Sequence, residues 1–228
     1  MNTHLRSWAL LLGIAATLCL SGCSPSPQPA TESPVQTSAE LMAAGQALYT
    51  ATCAACHGAK AEGMRALNAP ALAGQEDWYV ARQIRHFQSG ARGADPAHVP
   101  GTQMAAIAKT IKQTDIAALS AYVSSLPKAA LTAEIQGDSA MGKTRFEAVC
   151  TACHGQMADG NKSLNSPRLT TLNDWYMAAQ LHQFIHGTRG TLPQDTFGLQ
   201  MRPMAATLDS PEAIADVVSY IASLQTAH

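Results

Sequence analysis

The chain has 228 residues, 46% of them hydrophobic and 14% charged, and its 15 Lys and Arg against 16 Asp and Glu give a formal net charge of −1. A balance this close to neutral lacks the basic excess of a nucleic-acid-binding protein, so no nucleic-acid partner is expected. The length fits about two domains once any leader is removed.

Residues 1–22 read as an export signal. Arg6 makes a short positive region, Trp8 to Leu20 is apolar but short for a membrane span, and small residues follow. Leu20-Ser21-Gly22-Cys23 resembles the lipobox of bacterial lipoproteins, which implies cleavage before Cys23 and lipidation of that cysteine. Ordinary cleavage nearby, with Cys23 an incidental thiol, is the alternative. Residues 23–38 are rich in Ser and Pro and read as a tether; at about 3.1 Å per residue it reaches roughly 45 Å from a membrane surface. Two or more acyl chains give a stable anchor where one is marginal. Ser24 after the lipidated cysteine lacks the aspartate that signals inner-membrane retention in some bacteria, so the outer membrane is favoured.

The first expected domain spans 39–128. Ser38 is a plausible N-cap, with Leu41, Ala44 and Leu48 on one face of a helix. That helix runs into Cys53-Ala54-Ala55-Cys56-His57. In such a CxxCH motif two cysteines one turn apart can each form a thioether to a haem vinyl group, and the histidine then lies under the porphyrin face. A lone copy could also be a redox CxxC or half a zinc site. After the turn at Asn68-Ala69-Pro70, a helix is expected over Trp78 to Phe87, stopping at Gly90. Arg92 follows as a candidate to neutralise a haem propionate, since a guanidinium fork matches a carboxylate; a solvated arginine is the alternative. His86 is expected at the surface and His98 in an exposed loop before Met104. The last helix places Ile116, Leu119, Val123 and Leu126 on one face, behind a poor start at Lys112-Gln113-Thr114-Asp115.

After a linker over 129–137, the second domain, 138–228, repeats the first at an offset of 97. Cys150-Thr151-Ala152-Cys153-His154 repeats the motif. Gly45, Gly63, Pro70, Trp78-Tyr79, Phe87, Gly90, Arg92 and Gly93 find Gly142, Gly160, Pro167, Trp175-Tyr176, Phe184, Gly187, Arg189 and Gly190. Gly101-Thr102-Gln103-Met104 matches Gly198-Leu199-Gln200-Met201, so each motif histidine is followed by a methionine 47 positions downstream. Iron in a His-ligated haem has one axial position left, which a thioether suits. A zinc site built from four cysteines explains neither the paired histidines nor the paired methionines. The expected cofactors are therefore two covalent haem c groups on Cys53, Cys56, Cys150 and Cys153, with iron ligands His57, Met104, His154 and Met201. The offset selects Met201 over Met204 and aligns Met204 with Ile107, an expected core position. The last helix places Ile214, Val217, Ile221 and Leu224 on one face and begins well at Ser210-Pro211-Glu212. His182 and His186, four apart on one helix, could chelate a metal but have no evident third ligand.

These features together resemble the class I c-type cytochromes, and within them the two-domain, dihaem cytochromes of the c4 type. The resemblance runs from about Ser38 to Leu224. It implies an all-α fold of two tandem cytochrome c domains, with first and last helices crossing at Gly45 and Gly142. It also implies that the carbonyls of Pro70 and Pro167 orient His57 and His154. The implied function is a periplasm-facing electron carrier, not an enzyme. Its donor would be a quinol-oxidising complex or a periplasmic dehydrogenase, and its acceptor a terminal oxidase. A haem subunit bound permanently to a larger dehydrogenase, and a dihaem peroxidase, are the competing readings. From Ser38 to Lys128, eight Lys and Arg against six Asp and Glu give +2; from Ala129 to His228, six against nine give −3. That difference suggests that each domain faces a different partner. Domains this small have limited cores, and the haems are expected to supply the missing apolar bulk.

Overall fold

Helix α1 (Ser38–Thr52) is capped by Thr37 rather than Ser38. The Thr37 hydroxyl accepts from the Glu40 N–H, and the Glu40 carboxylate accepts from the Thr37 N–H at 2.8 Å, a complete capping box. The computed structural model describes residues 37–225; the expected signal peptide, Cys23 and nearly all of the tether lie outside the described residues. Then follow α2 (Ala54–His57), α3 (Asp77–Ser89), α4 (Val99–Thr110) and α5 (Ile116–Ser125). The second half supplies α6 (Ser139–Val149), α7 (Thr151–His154), α8 (Asp174–His186), α9 (Thr196–Ala205) and α10 (Pro211–Gln225). Among the described residues there is no strand, only the isolated bridges Met64–Ala69 and Asn161–Ser166.

Each domain is held by the crossing of its first and last helices, α1 on α5 and α6 on α10. A Cβ on Gly45 would run into the Ala118 carbonyl, and one on Gly142 into the Asp216 carbonyl. Glycine at these two places lets the backbones meet. The buried face of α1 is therefore Gly45 and Tyr49, while Ala44, expected inside, is exposed. Tyr49 stacks near Tyr122 and Phe146 near Tyr220, with ring centres 5.6 and 5.5 Å apart. Ile116, Leu119 and Val123 fill the first core and Ile214, Val217, Ile221 and Leu224 the second, as their spacing predicts; Leu126 is partly buried. In these last helices the matching positions are 98 apart rather than 97, so one residue has been inserted before α10.

α3 and α8 end at Gly90 and Gly187, both left-handed at φ 77° and 76°, a conformation glycine adopts without cost. The helical state of α4 and α9 was not legible, because Pro100, Gly101 and Pro203 read as loop residues. Pro100 stands in the first turn of α4, where its missing N–H costs nothing. Both helices gain side-chain caps: His98 Nδ1 accepts from the Gly101 N–H and Asp195 Oδ1 from the Gly198 N–H. His98 is thus a helix cap and not the free loop residue expected. The connection between domains is pinned by buried Asp174, whose Oδ2 accepts the N–H groups of Glu134 and Ile135 at 2.6 and 2.7 Å.

Gly45→Ala or Gly142→Ala should destabilise the holoprotein by about 1–3 kcal/mol, as overpacking does, read as a lowered thermal midpoint. An unchanged midpoint would mean that the helices do not cross this closely.

Candidate functional site

Behind each helix crossing the chain leaves an apolar cleft. The first takes in about 1710 Å³ and the second about 1240 Å³ of space, open solvent at the mouth included. Cys53, Cys56, His57, Pro70 and Met104 line the first; Cys150, Cys153, His154, Pro167 and Met201 line the second. All of the sequence-derived site residues of each domain therefore converge on one cleft. The turn at α2 and α7 does this locally, since a helix of four residues puts both cysteines and the histidine on one side of a single turn.

His57 and His154 are buried, at 6% and 7% exposure. His57 Nδ1 lies 2.8 Å from the Pro70 carbonyl and His154 Nδ1 2.9 Å from that of Pro167. A carbonyl only accepts, so each Nδ1 carries the proton and each Nε2 keeps its lone pair. Burial pushes both imidazole pKa values down and the carbonyls pull them partly back, which favours the neutral, metal-ligating form.

The cysteines are unpaired, Cys56 and Cys153 exposed and Cys53 and Cys150 half-buried. As thiols, Cys53 and Cys150 would be pushed up to about 11, mainly by burial and then by the neighbouring cysteine. A redox CxxC works by the opposite shift. Zinc does not fit either: among the described residues no group of three or more His, Cys, Asp and Glu is placed to hold a metal ion between them. One imidazole nitrogen, one thioether and two accessible thiols in an apolar cleft fit haem c. Met104 and Met201 are half-buried; Met204 and Ile107 are 42% and 40% exposed and also line the clefts. Ile107 is therefore a cleft-wall residue and not the core residue expected.

Each cleft is completed by the other domain. Arg92 lines the first cleft and Arg189 the second, and both are buried, not solvated. Arg92 Nη2 donates to Tyr176 Oη at 2.6 Å and Gln180 Oε1 at 2.7 Å; Arg189 Nη2 donates to Tyr79 Oη at 3.2 Å and Gln83 Oε1 at 3.1 Å. Within domains, Arg92 Nη1 reaches Gln83 at 2.9 Å and Arg189 Nη1 reaches Gln180 at 2.7 Å. Their guanidinium groups sit over Phe87 and Phe184, 4.6 and 4.5 Å from the ring centres. Burial alone would raise the Tyr79 pKa, yet Arg189 and Arg92 beside it hold it below the usual phenol value. Every one of these contacts has its counterpart 97 positions on, which is the signature of a two-fold contact. The Ala71 N–H on Asn173 Oδ1 and the Arg168 N–H on Glu76 Oε2, at 2.8 and 2.9 Å, form another such pair.

The contact also corrects the expectation for His86. His86 is nearly buried against the other domain, its Nδ1 3.7 Å from Asp195 Oδ1, and its counterpart Gln183 meets His98 Nε2 at 2.9 Å. His182 and His186 are exposed, their rings stacked 6.0 Å apart, and gain no third ligand. Arg82, unmarked in the sequence, reaches across to Asn165. The repeat of Trp-Tyr and of Gln83 as Gln180 could have revealed the interface, since these residues recur with no role in a single CxxCH site.

The sequence profile described as cytochrome c matches residues 42–127 and again residues 139–225. A protein of Stutzerimonas stutzeri (strain A1501) named thiosulfate dehydrogenase electron acceptor is 30% identical over 200 residues, which is 80% of this chain and 88% of that one. Cytochrome c4 of Azotobacter vinelandii is 32% identical over 192 residues, again 80% of this chain and 88% of its own. The crystal structure of reduced recombinant cytochrome c4 from Pseudomonas stutzeri superposes with a TM-score of 0.62 at 28% identity, covering 79% of this chain and 96% of that one.

Arg189→Ala should strand the buried acceptors of Tyr79, Gln83 and Gln180, costing about 1–3 kcal/mol. Calorimetry should then show one unfolding transition separating into two, and a single unshifted transition would contradict the arrangement.

Proposed function

This chain belongs to the cytochrome c family, and from that premise we propose that His57 and Met104 ligate the iron of its first haem and His154 and Met201 that of its second. It is an all-α, dihaem electron carrier of the cytochrome c4 kind, with two covalently bound haem c groups. In our reading Cys53 and Cys56 hold the first haem and Cys150 and Cys153 the second, in domains spanning 39–128 and 138–228 joined by 129–137. The observation that carries the ligand assignment is the histidine with its Nδ1 on a proline carbonyl, facing the same cleft as a methionine, found twice.

When bound, each haem c supplies a one-electron iron couple. The chain's part is to keep that couple closed and quick to exchange. Pro70 and Pro167 fix the rotation of the imidazoles, so the nitrogen donor need not reorient between oxidation states. Met104 and Met201 offer a neutral thioether that favours ferrous iron and raises the potential. Held by His57 and Met104 in one domain and by His154 and Met201 in the other, the irons would have no position open to a substrate, which supports a carrier rather than an enzyme.

The relative named as an electron acceptor of thiosulfate dehydrogenase supports a periplasmic dehydrogenase as donor; a quinol-oxidising complex fits the same chemistry. We assign the acceptor to a terminal oxidase. The +2 over residues 38–128 and −3 over residues 129–228 support separate docking faces, with electrons entering by one haem and leaving by the other. Cys23, lipidated, would hold the carrier to a membrane on its periplasmic side, the outer membrane being favoured.

The oxidised protein should show two equivalents of the weak far-red band of sulfur-ligated ferric haem. Met104→Leu and Met201→Leu should each remove one equivalent while Met204→Leu removes none; loss of a band in Met204→Leu would move the ligand there. Charge reversals confined to one domain should slow reaction with one partner only, measured by stopped flow, and equal slowing with both partners would overturn separate docking faces.

A further inference from the structure

When the residues of the interface are matched at the offset of 97, Arg82 is a cation whose counterpart is not one. Arg82 of α3 lines the second domain's cleft, whereas its counterpart Ala179 lines the first. The second cleft therefore has two guanidinium groups on its wall, Arg82 from the first domain and Arg189 from its own. The first is lined by Arg92 and by Arg65, which is half exposed, already paired with Glu134 at 3.1 Å and placed over the Trp175 ring.

Arg82 is held from both domains. Its guanidinium lies 5.0 Å from the ring centre of Trp78, 5.3 Å from that of Tyr79 and 4.9 Å from that of Phe197. Nη2 donates to the Asn165 carbonyl at 2.9 Å and Nη1 makes a long contact with Asn165 Oδ1 at 3.5 Å. Its Nε is buried and has no hydrogen-bond partner, and the same is true of Arg189 Nε. Two like charges bordering one apolar cleft, each with an unmet donor, are costly unless an anion joins them. Two carboxylates lie nearby, and Asp195 lines the same cleft. Asp195 caps α9 through the Gly198 N–H and faces His86, and Glu76 accepts from the Arg168 N–H. Neither carboxylate is hydrogen-bonded to Arg82 Nε or Arg189 Nε, and a haem in the cleft carries carboxylates that suit a guanidinium fork.

We propose that Arg82 of the first domain binds a propionate carboxylate of the second domain's haem, a contact across the domain boundary that the first haem lacks because Ala179 stands in its place. The inference rests on haem c filling both clefts. A fixed cation beside a propionate offsets negative charge at that haem and favours its ferrous form, so Arg82 raises the potential of the second haem and leaves the first unaffected.

The test is a redox titration of both haems in the dihaem protein, with haem-methyl NMR shifts to tell them apart. Haem content per chain is checked by the pyridine haemochrome assay, so that loss of a haem is not mistaken for loss of the contact. In Arg82→Gln the reduction equilibrium of the second haem should fall about tenfold, or about 59 mV for one electron, while the first moves less than twofold. Arg82→Lys, which keeps the charge and loses the fork, should fall less. Ala179→Arg, which supplies the absent cation, should raise the equilibrium of the first haem alone. With two haems bound, an unchanged second haem in Arg82→Gln, or equal shifts in both, overturns the proposal. If Arg82→Gln fails to keep two haems, Ala179→Arg decides, and the proposal falls if that variant raises the second haem or neither.

Discussion

Two guanidinium groups are buried where the two domains meet, and the arrangement of the whole molecule follows from how their donors are met. Neither Arg92 nor Arg189 can satisfy its N–H groups within its own domain: each has one glutamine there, and finds its tyrosine and second glutamine across the boundary. Burying a cation without acceptors is far more costly than forming a neutral contact. The domains are thereby held in one relative orientation. The acceptors also line the clefts, so the contact that joins the domains shapes the walls of both haem sites.

Within a domain the controlling feature is the backbone approach at Gly45 or Gly142. It closes one side of the structure with a core of Tyr49, Ile116, Leu119 and Val123, or of Phe146, Ile214, Val217 and Ile221. That core stops at the cleft. Met104, Leu72 and Val80 are only partly buried against it, because the remaining apolar surface faces a space meant for a large flat ligand. The limited core of a domain of this size and the size of its cleft are one fact seen from two sides.

Much of this was legible because local rules dictate it. The CxxCH turns, the glycines that end α3 and α8, the periodic faces of α5 and α10 and the methionines 47 residues after each histidine follow from short-range geometry, and the repeat removed the ambiguity of a lone motif. What was hidden depends on the other half of the chain. His86 reads as a surface residue until Asp195 is brought against it, and Arg82 as one more helical cation until Asn165 and Phe197 close over it. His98 and the helices α4 and α9 were obscured by proline and glycine; Pro100 stands in the first turn of α4, whereas Pro203 lies inside α9 near its end. Ile107 looked like core because an apolar residue facing a cofactor and one facing a core have the same sequence signature.

The reciprocal pairs across the boundary make the molecule an isologous dimer whose two subunits happen to share one chain. In a dimer of identical subunits every substitution is made twice, so a cation added to one site is added to the other, and the two sites stay equal. Joining the subunits through residues 129–137 lifts that restriction while keeping them at high effective concentration. Arg82 opposite Ala179, Asp195 opposite His98 and Glu76 opposite Asn173 are positions where the copies have parted. The short connection pinned by Asp174 is thus what allows two sites of common design to become unequal, and unequal sites can bias an electron towards one of the two.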